Sequence, residues 1–230
     1  MRALILAGGQ GSRLKPRFGD LPKPLAPLGG APFLARQLEW LAAHGIREAV
    51  LLVGYGADQV RATLGDGGAH GVTLQYSIED EPLGTGGALM RAASFVDGPM
   101  IVVNGDTLPE CDPWEVERDR WAHGALGAVA LFRVPDARAR GRVEVGDDGR
   151  IAAFVEKDDA FSGPAWVNGG VYAFDPSLWR RLPAGVSSLE RDTLPGLAES
   201  RLLFGHRCHG RFFDIGTPED WERAERAFVR

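Results

Sequence analysis

The strongest constraint on this chain is an alternation that fills its first half. Four apolar runs, "ALILAG" (3–8), "EAVLLVG" (48–54), "VTLQYSI" (72–78) and "MIVVNGD" (100–106), are separated by segments with helical spacing of apolar residues. A strand that is apolar at nearly every position is buried on both faces, which is the state of a parallel strand covered by helices. The intervening segments supply that cover: "APFLARQLEWLAAHG", with Pro32 at the first helical position and Gly45 as its stop, then "ADQVRATLG" and "TGGALMRAASF". Beyond about residue 125 the runs shorten and alternate. "ALGAVALFRV", "GRVEVGDDGRIAAFVEK" and "AWVNGGVYAFD" predict antiparallel strands, with "DDG" as a hairpin turn. The tail returns to helices. "SSLERDTLPGLAES" carries a capping box at Ser187 and Glu190, and "DIGTPEDWERAERAF" places Thr217 at the N-cap, Pro218 at N1 and Asp220 at N3. No internal repeat, linker or low-complexity block interrupts the chain. The expectation is one α/β domain over 1–230 with a small antiparallel insertion.

Composition narrows the partners. At 230 residues and 44% hydrophobic content the chain can bury a sizeable core. A net charge of −5 leaves no broad basic field for nucleic acid or an anionic membrane. No apolar run approaches the roughly 20 residues of a membrane span, and the first run is too short for a signal peptide. Cys111 and Cys208, far apart and the only cysteines, argue against a disulfide framework and for a reducing, cytoplasmic setting.

The first strand runs into "AGGQGSRLKPRFGDLPKPL". Glycines at a strand's carboxyl end let backbone N–H groups approach an anion. The spacing is neither the dinucleotide fingerprint nor a Walker loop, so the glycines alone read equally well as a structural turn. Arg13, and Lys23 held between two prolines, tip the reading towards phosphate. Asp106 and Asp214 end two strand-like runs. Each alone reads equally as a turn or cap residue or as half of a site for Mg²⁺, which takes one or two carboxylates plus phosphate oxygens and water.

"LILAGGQGSRL" followed by "LPKPLAPLGGAPFL" resembles the signature of the sugar-1-phosphate nucleotidyltransferases, G-G-x-G-[ST]-R-L and then P-K-P-L. The likeness continues through "PLGTGGAL", "VVNGDTL", "FVEK", "WVNGGVYAF" and "FFDIGTPEDW". It implies a Rossmann-like, three-layer mixed sheet, the nucleotide-diphospho-sugar transferase or GT-A-like fold. Residues up to 124 would bind mainly nucleotide and residues 125–230 mainly sugar phosphate. Leu6, Ala7, Gly8, Gly9 and Gly11, with Gly84, Thr85 and Gly86, would hold the nucleoside triphosphate. Arg13 and Lys23 would be the catalytic cations, and Asp106 and Asp214 the ligands of Mg²⁺. On the sugar side the resemblance implies Gly141, Glu156, Lys157, Asn168 and Gly169, although the aromatic residue usual before Gly141 is Arg140 here. Without it, Glu156 and Lys157 read as a solvated charge couple.

The implied reaction needs little acid–base machinery. A sugar 1-phosphate is already largely dianionic at neutral pH, and its oxygen displaces pyrophosphate from the α-phosphorus. Positioning and charge neutralisation are then the catalysis.

The base is read from "SIEDEPLGTGGAL". Where uridylyl relatives carry a glutamine, this chain has Glu79, or Glu81 if the alignment slips. A carboxylate accepts two parallel bonds from guanine N1–H and N2–H, which favours GTP over UTP.

Whole-chain similarity points to guanylyltransferases acting on D-glycero-α-D-manno-heptose 1-phosphate in capsule and surface-glycan pathways. Mannose-1-phosphate guanylyltransferase and N-acetylmuramate-1-phosphate uridylyltransferase are the alternatives. A non-catalytic nucleotide-sugar-binding regulator is the rival class, and "NGDTL" is not the D-x-D of a related glycosyltransferase. A fused hexapeptide-repeat domain is not expected, and a homo-oligomer remains open. In "HRCHG", strand alternation separates His209 from His206 and Cys208, which makes a shared metal awkward. Trp40 and Trp221 have core spacing, while Trp166, beside Asn168, is a sugar-pocket candidate.

Overall fold

A strand that is apolar throughout needs cover on both sides, and the first half of the chain supplies it. In chain order come β1 (Arg2–Leu6), a short α1 (Lys15–Phe18), the paired β2 (Pro27–Leu28) and β3 (Ala31–Pro32), and α2 (Phe33–Ala43). They are followed by β4 (Glu48–Val53), α3 (Ala57–Leu64), β5 (Thr73–Ile78), α4 (Gly84–Arg91) and β6 (Met100–Asn104). The computed structural model describes residues 1–138, 141–158 and 160–228. Arg140, named above, lies outside the described residues. Strands β6, β1, β4 and β5 are neighbours in that order and all parallel. On β1, Ala3 and Ile5 face a core shared with α2 and α3, while Leu4 faces one shared with α4. Leu34, Leu38 and Leu41 of α2 are fully buried, each contributing about 1.5–3 kcal/mol.

The second half continues the same sheet. β7 (Thr107–Pro109) and α5 (Pro113–Ala122) lead into β8 (Gly127–Val134), the hairpin β9 (Arg142–Val145) and β10 (Ile151–Val155), and the long β11 (Ala165–Phe174). β11 runs antiparallel to β6, β8 and β9. α6 (Leu194–Glu199) and β12 (Leu203–Cys208) follow, and β12 returns parallel to β8. The nine-stranded sheet is mixed, with α2, α3 and α5 against one face and α4 and α6 against the other. The antiparallel strands are therefore an extension of the central sheet rather than a separate layer. β13 (Phe212–Asp214) pairs with β7 as a small ribbon, and α7 (Pro218–Phe228) closes over it through Trp221.

Helix ends follow local chemistry, with two shifts from the sequence. Thr217 and Asp220 form the expected reciprocal cap, Asp220 N–H donating to Thr217 Oγ1 at 3.2 Å. Pro32 belongs to β3 and precedes α2 as its N-cap, not its first residue. The cap in "SSLERD" is Ser188, whose Oγ accepts from Arg191 N–H. The carbonyl of Ser187 instead accepts from Gly86 and Gly87. No helix among the described residues is long and apolar enough to cross a membrane.

Candidate active site

Because β1, β4, β5 and β6 are parallel, their carboxyl ends share one rim, where open α/β sheets bind ligands. A cavity of about 530 Å³ opens there. Its wall runs from Leu6, Ala7, Gly8, Gly9 and Gly11 to Arg13, and continues through Lys23, Glu79, Gly84, Thr85 and Asp106. Gly11 has φ of 60°, and a Cβ there would lie 2.6 Å from Lys23 Cβ. Only glycine lets the loop fold this closely over Lys23. Lys23 sits in a helical turn between Pro22 and Pro24, and its Nζ reaches Asp106 Oδ2 at 2.5 Å.

The ribbon joins the two aspartates. Thr107 stands opposite Asp214, and Ile215 N–H donates to Asp106 O at 3.0 Å. Asp214 does not itself line the cavity. Its Oδ1 accepts from the N–H of Gly216 at 2.6 Å, and Gly216 does line it, close to the Arg13 guanidinium. Two neighbouring carboxylates are hard oxygen donors and fit Mg²⁺ in kind. Among the described residues no third acidic, histidine or cysteine side chain joins them. Two carboxylates are the number Mg²⁺ takes when phosphate oxygens and water complete its shell.

Glu79, past the end of β5, is tied to β4 by its N–H to Val53 O at 2.8 Å. Its Oε2 accepts from Leu83 N–H at 3.0 Å, and Oε1 faces Gly8. Glu81 is exposed and outside the cavity wall, so of the two carboxylates only Glu79 stands at the nucleotide-sized space.

A second cavity of about 270 Å³ lies beside the β9–β10 hairpin and β11. Gly141, Glu156 and Asn168 line it, together with Arg142, Glu190 and Arg191. Asn168 is held from both ends of its amide. Nδ2 donates to the Tyr172 hydroxyl at 2.8 Å, and Oδ1 accepts from Gly170 N–H at 2.9 Å. Burial pushes the Tyr172 phenol well above its ordinary pKa, with the Glu190 charge adding to the effect. It stays protonated beneath the site.

Four expected residues stand elsewhere. Lys157 is exposed and lines neither cavity. A side chain at Gly169 would collide with the Phe132 ring, so that glycine serves packing within the sheet. Gly86 gives its N–H to Ser187 O at 2.8 Å and packs against the same serine. Trp166 lies under the Arg207 guanidinium, 5.7 Å from its ring centre, outside the second cavity.

Two residues that no binding or catalytic motif marks complete the arrangement. Gln37 is fully buried on α2, and its Nε2 donates to Asn104 O at 2.8 Å and Thr107 O at 2.6 Å, fixing the turn that bears Asp106. A polar residue inside an otherwise apolar helical stripe is the signal that marks it. Glu190 lines both cavities. Its Oε2 accepts from Thr85 Oγ1 at 2.6 Å and from Ser188 Oγ at 3.1 Å. Its place depends on a contact between residues distant in sequence, which no local pattern reveals.

With this geometry in view, the likeness to known proteins is specific. The chain belongs to the nucleotidyl transferase family, whose model matches residues 2–229. Among curated relatives, the mannose-1-phosphate guanylyltransferase catalytic subunit beta of Drosophila pseudoobscura pseudoobscura is 35% identical, covering 96% of this chain and 60% of the relative. The mannose-1-phosphate guanylyltransferase of Mycobacterium tuberculosis is also 35% identical, covering 99% of this chain and 64% of the relative. This chain thus spans less than two thirds of the length of those relatives. HddC from Yersinia pseudotuberculosis, solved in complex with GMP-PN, superposes with a TM-score of 0.85 at 30% identity, covering 99% of each chain.

Proposed function

We propose that the chain is a sugar-1-phosphate guanylyltransferase, converting GTP and a manno-configured sugar 1-phosphate to a GDP-sugar and pyrophosphate. The observation that carries this reading is the pair of adjoining cavities divided by Glu190, with Lys23 and the Asp106–Asp214 ribbon at the end of the larger. Residues before 124 build most of the nucleotide side and residues 125–230 most of the sugar side, Glu190 and Gly216 being contributions of the second part to the first cavity.

In this reading the Gly8–Gly11 backbone and Arg13 receive the triphosphate, and Lys23 neutralises charge as pyrophosphate leaves. Asp106 and Asp214 would hold Mg²⁺, which lowers the repulsion between the two phosphate groups. Glu79 accepts the N1–H and N2–H of guanine. Asn168 and Glu156 receive sugar hydroxyls. Lys157, Gly169 and Gly86 line neither cavity, and the Gly86 N–H is taken by Ser187 O, so this reading gives them no contact with substrate. Arg13, Lys23, Asp106 and Asp214 together favour catalysis over a role as a nucleotide-sugar-binding regulator, which would use the same two subsites without needing this set of charges. Two cysteines without a disulfide, and a nucleoside triphosphate substrate, suit the cytoplasm.

Two sugars fit. Heptose 1-phosphate follows from the whole-chain resemblance, which would place the product in capsule or surface-glycan synthesis. Mannose 1-phosphate follows from the names of the curated relatives. The test is pyrophosphate release from four nucleoside triphosphates against heptose, mannose, glucose and N-acetylmuramic acid 1-phosphates. The reading requires GTP with one manno-configured sugar to be fastest. UTP outrunning GTP rejects the base assignment, and no release from any pair favours the regulator.

A further inference from the structure

Away from both cavities, four chemically active side chains meet where β12 passes the segment after β7. Cys208 ends β12 and is almost fully buried, and Cys111 is half-buried. Cys111 packs against the core cluster that contains Cys208, and each thiol shifts the charge of the other. His206 lies two residues before Cys208 on the same face of the strand; its backbone carbonyl accepts from the Cys208 thiol at 3.9 Å, and its imidazole acts on the Cys208 charge. The Nδ1 of His206 lies 2.7 Å from Asp119 Oδ2, the carboxylate coming from α5. Cys111 lines an open groove of about 740 Å³ with Trp40, Arg211 and Phe228, so small solutes approach the pair from the Cys111 side, with Cys208 buried behind it.

These four do not form a metal centre among the described residues. Nor are they plain packing, because a buried structural cysteine stays protonated and inert. The contact with Cys111, and then His206, hold the Cys208 thiol down to about 6 against the effect of burial. Burial opposes charge on His206, yet its bonds to Cys208 and Asp119 raise it to about 9. The Cys111 thiol is pushed up by Cys208 and by burial. The two sulfurs differ in their surroundings: Cys208 stands beside the His206–Asp119 pair, and Cys111 faces the groove.

We propose that Cys111 and Cys208 are a redox modification site, a dithiol that hydrogen peroxide converts to an intrachain disulfide. The Cys208 sulfur attacks one peroxide oxygen, the O–O bond breaks, and the departing hydroxide takes the proton of the His206 imidazolium to leave as water. Cys208 is then a sulfenic acid. The Cys111 sulfur displaces its hydroxyl, which leaves as a second water with the Cys111 proton, and the S–S bond forms. Two thiols are oxidised by two electrons and one peroxide is reduced to two waters. Asp119 acts as a positioning residue that keeps the His206 ring turned towards Cys208.

The experiment treats the intact chain with hydrogen peroxide and follows thiols and peptide mass. Both thiols disappear, one tryptic cross-link joins the peptides bearing Cys111 and Cys208, and dithiothreitol restores them. In Cys111→Ser, dimedone labels Cys208. Both Asp119→Asn and His206→Gln slow thiol loss about tenfold or more at neutral pH, through the lost thiolate fraction, with circular dichroism used to confirm that each is folded. The proposal falls if both thiols survive peroxide that oxidises free glutathione. It falls equally if Cys208→Ser loses its remaining thiol as fast as the unaltered chain loses Cys111, or if the link forms between chains.

Discussion

The two cavities are built on different principles. The larger one stands on four parallel strands, where chain direction alone delivers every loop to one rim, and the ends of β1, β4 and β6 meet it at Leu6, Leu52 and Asn104. The smaller one stands on a hairpin and a single strand, and its acid, Glu156, is exposed. Its most constrained polar group is Asn168, fixed through Tyr172 and Gly170. Sheet topology dictates the first cavity, whereas a few side-chain hydrogen bonds hold the second. A phosphate cradle common to many nucleotides suits the first design, and a sugar that differs between relatives suits the second.

Substitutions separate the two. The largest expected effect is Asp106→Asn, which serves both halves of the reaction. On the proposed ligand role, kcat falls by about a thousandfold or more with the circular dichroism spectrum unchanged, and an unaltered kcat with an unaltered Mg²⁺ dependence contradicts that role. Glu79→Gln touches the nucleotide alone. The preference for GTP over UTP in kcat/KM falls about 10–100-fold, because the amide cannot accept both guanine donors, while KM for the sugar phosphate stays the same. Asn168→Ala is its mirror on the other side, raising KM for the sugar phosphate about tenfold at constant KM for GTP. A matching rise in both constants breaks the division. Glu190→Gln, at the shared wall, is the smallest. An amide still accepts from Thr85 but without charge assistance, so both KM values rise about threefold, measured by steady-state pyrophosphate release.

The same contrast explains what the amino-acid sequence makes legible. Continuous apolar runs and glycine turns are local signals, and they locate β1, β4, β5 and β6 and the loop from Gly8 to Arg13. The pairing of Asp106 with Asp214 is less local, since it depends on the small ribbon of β7 and β13, yet strand ends and family likeness together point to it. Glycines were the ambiguous residues. A missing side chain marks close approach, but whether a ligand or a neighbouring side chain approaches is decided by tertiary packing, as Phe132 does at Gly169 and Ser187 at Gly86. Gln37 is legible as an anomaly in a helical stripe. Glu190 is not, because it reads as a capping residue until Thr85 is seen to bond it. The capping shift from Ser187 to Ser188 has the same origin, in that the carbonyl of Ser187 is held by the turn that starts α4.

The ribbon of β7 and β13 also sets when the protein becomes competent. Its two strands are three residues each, and the later one begins at Phe212. During synthesis, which proceeds from the amino end at about 5–20 residues per second, the glycine loop and Lys23 emerge long before Asp214 can take its place opposite Thr107. A ribosome-bound polypeptide not yet extended past Phe212 therefore holds the glycine loop and Asp106 without Asp214, and on the proposed reading turnover waits until β13 has docked.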